Sequence, residues 1–136
     1  MKIYIIRHGE TTSDLEDRYG GSYDDHLTQK GRGQLEETAK RLLDKNIEVI
    51  FTSPLIRAKE SAEIIQNSIK SEVEVINDIR ERHYGILTGL TKDEALEKYP
   101  DVVEAHKNPE NTDPEGESLD EFKNRVIQAF ESILNK

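Results

Sequence analysis

An apolar, β-rich run at Lys2–Ile6 is followed by a helical periodicity, a second apolar run, a second helical periodicity and a third run. This order is the strongest constraint on the fold. Parallel strands need long crossovers, usually helical, so the alternation predicts a parallel sheet with right-handed connections. The first run, Ile3-Tyr4-Ile5-Ile6, is nearly continuous in apolar residues, as expected of a strand covered on both faces. Thr28–Lys45 places Leu35, Ala39, Leu42 and Leu43 on one helical face. Ile47–Phe51 reads as the second strand. Ser53-Pro54 then reads as an N-cap followed by proline at the first helical position. The helix it opens extends to about Ile69, with Leu55, Ala58, Ala62, Ile65 and Ile69 facing inward. Val73–Ile76 is the third, shorter strand.

The second half of the chain is more helical. Thr91 with Glu94, and Ser118 with Glu121, have the spacing of capping boxes. The first opens a helix toward Tyr99 and Pro100. The second opens a helix with Leu119, Phe122, Val126, Phe130, Ile133 and Leu134 on one stripe. Asn108–Glu117, rich in Pro, Asn, Asp and Gly, reads as a loop. Gly9–Leu27 is a long polar segment, and ordered loops of that length tend to be functional. Three strands make a thin sheet for so many helices.

The length of 136 residues predicts a single domain over residues 1–136. A formal net charge of −9 and the lack of a basic stripe argue against nucleic acid as a partner. Small phosphorylated molecules stay within reach where arginines cluster locally. The chain has no cysteine, which removes disulfide, thiolate and Cys-metal chemistry. Charge at Arg7 interrupts the N-terminal apolar run too early for a signal peptide, and no apolar stretch is long enough to span a membrane. A cytoplasmic location is the expectation, with no membrane partner.

Three segments place reactive side chains at predicted strand ends or helix starts. They are Arg7-His8-Gly9-Glu10, Ser53-Pro54-Leu55-Ile56-Arg57-Ala58 and Glu81-Arg82-His83-Tyr84-Gly85. Strand ends on the carboxyl edge of a parallel sheet are where such folds bind ligands, so the three converge on one expected pocket. A cation, an imidazole and a glycine that admits close backbone approach point to phosphate chemistry. Taken alone, each residue has a plainer reading. Arg7-His8 caps a strand end, Arg57 pairs with Glu60 or Glu63, and Glu81 joins a solvated charge cluster with Asp78, Arg80 and Arg82. His83 reads equally as structural or pocket-lining. His26 and His106 read as surface histidines.

Taken together, these segments resemble the histidine phosphatase superfamily, which includes the cofactor-dependent phosphoglycerate mutases. The likeness runs through Arg7-His8-Gly9-Glu10-Thr11, Ser-Pro-Leu-x-Arg-Ala from Ser53 and Glu81-Arg82-His83-Tyr84-Gly85, in that order. Asp24-x-x-Leu27-Thr28-x-x-Gly31-x-x-Gln34 and Gly116-Glu117-Ser118 are further landmarks. The resemblance implies an α/β fold, a phosphoglycerate mutase-like three-layer sandwich with a mainly parallel sheet. It implies His8 as a nucleophile that carries the phosphoryl group, which requires a neutral imidazole. Arg7 and Arg57 would clamp the phosphate, since the guanidinium fork matches its oxygens. Glu81 would protonate the leaving oxygen and then activate water. Gly20 and Gly21 match a loop approaching the substrate, and Tyr84 and Lys92 match positions touching the rest of it. No metal and no cofactor are implied. The partner is a small phosphorylated substrate, and a homo-oligomer is left open.

The chain also departs from the family pattern. A second catalytic histidine, followed by glycine on a late strand, has no match here, so the domain reads as C-terminally incomplete, with its last strand or strands missing. Asp14 stands where the family has a phosphate-donating asparagine. That places a carboxylate near a dianion unless it is protonated, paired with Arg18 or turned away. The paired arginines of the mutases are absent around His106-Lys107. Three functions therefore follow from the sequence: a phosphomonoester hydrolase working through phosphohistidine, a phosphoglycerate mutase, or an inactive phosphate-binding fragment.

Overall fold

A computed structural model describes the whole chain, Met1–Lys136. Strands β1 (Val49–Thr52) and β2 (Glu72–Val75) pair in parallel, with Val49 opposite Glu72 and Thr52 opposite Val75. Helix α3 (Ile56–Ile69) makes the crossover between them, and helix α2 (Gln29–Leu42) packs along α3. The core lies at this junction. Leu35, Ala39 and Leu42 of α2 meet Ile65 of α3, with Ile47, Ile50, Ile64 and Ile69 packed around them. Leu35, Ala39, Leu42, Ile65 and Ile69 are residues that the helical periodicity places inward, whereas Ile64 joins them unexpectedly and Leu43, expected on the inward face, is 60% exposed.

The expected strand at Lys2–Ile6 does not form. The run joins no ladder, and Ile3 and Ile5 are 50% and 90% exposed. A strand exists only through its neighbours, because unpaired main-chain groups gain nothing from an extended path that water cannot match. Here β1 and β2 pair with each other alone, so the sheet has two strands rather than three. The molecule consequently exposes 8716 Å², against about 7,250 Å² for a compact monomer of its mass.

Local signals fare better. Thr28 caps α2 by accepting from the Gly31 amide. The Thr91/Glu94 and Ser118/Glu121 capping boxes open α4 (Lys92–Lys98) and α6 (Leu119–Leu134). Helix α5 (Pro100–His106) follows α4 at once, with Pro100 in its first turn. A one-turn helix, α1 (Thr12–Leu15), breaks the long polar segment and carries a third capping box, Thr11/Asp14. Helix α6 packs on a 3-10 turn at Asn77–Ile79, while Phe130 and Leu134 of its apolar stripe stay exposed. No helix is long and apolar enough to cross a membrane.

Helix α3 starts later than Ser53-Pro54 predicts. Its N-cap is Leu55, with no side-chain cap of its own. The cap comes from outside: Asp24 Oδ1 accepts from the Ile56 amide at 2.7 Å. Ser53 is buried, and the loop carrying Asp24 takes over its expected task.

The start of α2 shows how tightly the Arg7–Glu10 segment is seated. A Cβ at Gly31 would lie 2.1 Å from the Glu10 carbonyl oxygen, whereas Gly33 faces open space. Gly31→Ala is expected to destabilise the fold by about 1–3 kcal/mol through overpacking, lowering the melting temperature by roughly 4–12 °C. Gly33→Ala is expected to stabilise it by about 0.5–1 kcal/mol. Thermal unfolding of the two variants checks both signs, and equal shifts would contradict the packing.

Candidate functional site

His8 is half-buried at the end of the N-terminal run. Its Nδ1 lies 2.7 Å from the Gly9 carbonyl oxygen. A carbonyl only accepts, so Nδ1 is the donor, and in the neutral ring Nε2 then carries the lone pair. The ring is thereby set in the tautomer that a nitrogen nucleophile needs. Gly9 is required for the approach: a Cβ there would meet the Gly31 carbonyl oxygen at 2.3 Å. Beyond it, Glu10 accepts from the Thr28 hydroxyl at 2.8 Å and pairs with Lys30, which holds its carboxyl below the usual range. The segment is also tied to the next loop, because Thr11 and Leu27 form an antiparallel bridge.

Arg57, in the first turn of α3, is only 6% exposed. Its guanidinium donates to Asp25 Oδ1 at 2.9 Å and to the Tyr23 and Gly21 carbonyls at 2.8 and 2.6 Å. The sequence-based rival pairing with Glu60 or Glu63 does not occur. Glu60 is taken by His26, Arg32 and the Leu27 amide. Asp25, which the sequence reading passed over, is 3% exposed. Burial pushes its carboxyl up, but the nearby Thr11 and Ser13 hydroxyls, the Arg57 hydrogen bond and the Arg57 charge outweigh burial and hold it below the usual carboxylate range. The loop carrying Asp25 thus joins the His8 segment to Arg57, through the Thr11–Leu27 bridge on one side and the Asp25–Arg57 pair on the other.

Gly21 connects Arg57 to the third segment. Its φ is +49°, and a Cβ would strike the Arg82 carbonyl oxygen and the Tyr84 ring at 2.7 Å. Neighbouring Gly20 has nothing within 4 Å of its Cβ position, so that side of the loop is open. Tyr84 is half-buried, with its ring edge-on to His106 at 4.8 Å between centroids. Burial, then the Glu81 charge, raise its phenol above the ordinary tyrosine value, so it remains a neutral donor. Glu81 is exposed, and its Oε1 accepts from the Arg82 amide at 2.8 Å.

Two buried or half-buried arginines fasten the Glu81 segment. Arg82 donates to the carbonyls of Pro109, Asn111 and Glu117. Arg125 grips the Glu117 carboxylate with Nε and Nη2 and also donates to the carbonyls of Asp78, Arg80 and Glu81. The Arg125 bond, then its charge, hold the Glu117 carboxyl below its usual value. Neither role was visible in sequence, since most of the acceptors are main-chain oxygens.

Four expectations need revision or detail. Asp14 is not paired with Arg18. Its Oδ2 accepts from the Thr11 amide at 2.8 Å in the α1 capping box, which turns it from a ligand. Arg18 instead pairs with Glu16 and donates to the Gly89 carbonyl. Lys92 pairs with Asp17 at 2.8 Å, fixing the loop to the start of α4. His106 is not a surface histidine: its Nδ1 meets buried Asp113 at 2.8 Å, and its ring packs edge-on to Tyr19 as well as Tyr84. His26 is exposed, as expected, and His83 is exposed with Nδ1 accepting from the Gly85 amide. No direct bond joins His8 to Arg57 or Glu81. The three segments meet through Asp25 and Gly21.

Residues 3–136 match the family model described as histidine phosphatase superfamily (branch 1). Among curated relatives, an uncharacterised phosphatase of Bacillus subtilis, PhoE, is 34% identical over 96% of this chain and 63% of its own. A metal-independent phosphoserine phosphatase of Arabidopsis thaliana is 36% identical over 99% of this chain and 59% of its own. A 2,3-bisphosphoglycerate-dependent phosphoglycerate mutase of Gloeobacter violaceus is 35% identical, with 94% and 61% covered. The solved structure of Bacillus stearothermophilus YhfR superposes with a TM-score of 0.88 at 33% identity, over 95% of this chain and 65% of its own. The fold is phosphoglycerate mutase-like, and the chain spans about 60% of the length of these curated relatives.

Proposed function

Because the chain belongs to the histidine phosphatase superfamily, branch 1, we propose that it serves a metal-independent phosphomonoesterase in which His8 carries the phosphoryl group. The observation that carries this reading is the His8 tautomer, with Nδ1 held by the Gly9 carbonyl and Nε2 left as the nucleophile. The Nε2 lone pair attacks phosphorus and the ester P–O bond breaks. Glu81 gives its proton to the departing alkoxide. Its carboxylate then takes a proton from water, the water oxygen attacks phosphorus, and the P–N bond breaks to release orthophosphate and free His8. Arg7 and Arg57 balance the charge on the moving phosphoryl oxygens. Asp14 belongs to the helix cap in this scheme, and Gly20, Gly21, Tyr84 and Lys92 border the leaving group.

Hydrolysis is favoured over mutase chemistry by what surrounds His106 and Lys107. His106 is committed to Asp113 and two tyrosines, and Lys107 pairs with Glu104, so no pair of cations stands ready for a substrate carboxylate. A test that isolates the acid/base step is Glu81→Gln in the full-length protein. Turnover of an alkyl phosphate is expected to fall by about 10²–10⁴-fold. A nitrophenyl ester, whose leaving group needs no proton, should lose less in the first step, and a burst of nitrophenol should precede slow dephosphorylation. Equal losses on both esters with no burst would remove Glu81 from this role. Stimulation of a mutase assay by bisphosphoglycerate would favour the mutase instead.

A further inference from the structure

Two successive carboxylates reach α3 from the same loop, and they do different work. Asp24 caps the helix backbone, whereas Asp25 meets the Arg57 side chain inside the protein. Of the five N–H groups on a guanidinium, Arg57 uses three on Asp25, Gly21 and Tyr23. That leaves Nε–H and one Nη2–H for a ligand. The fork is therefore held in one orientation before any anion arrives. At the same time, its positive charge already has a full negative partner 2.9 Å away.

We propose that Asp25 is a standing counter-ion of the phosphate clamp, which fixes the Arg57 fork for the incoming phosphoryl group and offsets its charge so that orthophosphate, the product, is bound weakly and leaves quickly. This rests on the reading of Arg57 as a clamp. The pair is well enclosed, with side chains 7% and 2% exposed, so solvent screens it little. The loop that carries Asp25 is also held from the His8 side, by the Thr11–Leu27 bridge and by the Thr12 amide donating to the His26 carbonyl. Asp25 is a positioning residue: it acts on the anion through Arg57 and through its own charge.

A carboxylate that merely braced the loop would give the opposite result on neutralisation. Asp25→Asn keeps an oxygen for Arg57 in a side chain of the same size, so it removes charge with little change of shape. Calorimetric titration of the full-length wild type and D25N with orthophosphate and with orthovanadate separates the two. D25N is expected to bind both at least about tenfold tighter, the scale on which one like charge acts at the effective dielectric of a protein. Product inhibition should strengthen by the same factor and KM for an aryl phosphate should fall. Equal or weaker anion binding by a folded D25N overturns the proposal. D25S carries the same test if D25N does not fold, and failure of both to fold makes Asp25 a structural brace and also overturns it. A wild type that binds neither anion overturns the clamp and the counter-ion together, whereas normal wild-type binding with D25N unchanged removes the counter-ion alone.

Discussion

Replacing His8 by alanine in the full-length protein is expected to lower turnover of an aryl phosphate by roughly 10⁴-fold or more, the scale seen when a covalent nucleophile is removed. The effect is large because no other group takes over. Water attacking the ester directly would have to meet the whole barrier in one step, and 10⁴-fold corresponds to about 5.4 kcal/mol of transition-state free energy. His8 is half-buried and bonds only its neighbour's carbonyl, so the fold should survive the change. An unfolding midpoint near that of the wild type is the control. In the wild type, rapid denaturation during turnover should trap acid-labile phosphate on the chain, and His8→Ala should trap none. Retained turnover would overturn the phosphohistidine route, and so would loss of wild-type turnover on chelation. A wild type that binds orthovanadate but never turns over would identify a phosphate-binding protein instead.

Arg57→Ala is the second large effect, and it is expected to appear in stability as well as activity. Removing the guanidinium leaves Asp25, 3% exposed, as an uncompensated buried carboxylate. Breaking one side of a buried pair costs about 3–5 kcal/mol. It also releases the Gly21 and Tyr23 carbonyls that Arg57 holds. Chemical denaturation should show the loss. The double variant with Asp25→Ala should recover part of it, because no charge is then left stranded. Arg57→Lys keeps the charge but cannot serve three acceptors from one planar fork, so it should also lose stability. Additive losses in the double variant would mean that the two residues do not act as a pair.

The parts of this molecule that were legible in sequence are those set within a few residues of one another. The Thr91/Glu94 and Ser118/Glu121 boxes were legible because cap and helix share one turn. The α2 and α3 faces were legible because their period is local. The roles of Asp24 and Asp25 were not, because their partners lie 32 residues away. Ser53-Pro54 looked like a complete helix start, and only the tertiary fold brings a better acceptor to the Ile56 amide. Lys2–Ile6 has the composition of a strand, yet pairing is a property of two segments, and composition describes one. His106 looked ordinary because neither Asp113 nor the two tyrosines can be placed beside it by spacing. The three reactive segments were found because each is compact. What joins them, Asp25 and Gly21, was found only in three dimensions.

The grip of Arg82 and Arg125 on their surroundings has a consequence for how this molecule can change. Apart from the Glu117 carboxylate, the acceptors are the carbonyls of Asp78, Arg80, Glu81, Pro109, Asn111 and Glu117. A carbonyl is supplied by any amino acid. The side chains at positions 78, 80, 109 and 111 can therefore drift through mutation without loosening the seat of Glu81, as long as the two arginines stay. The side chains of this rim can diverge while the backbone seat beneath them is inherited unaltered.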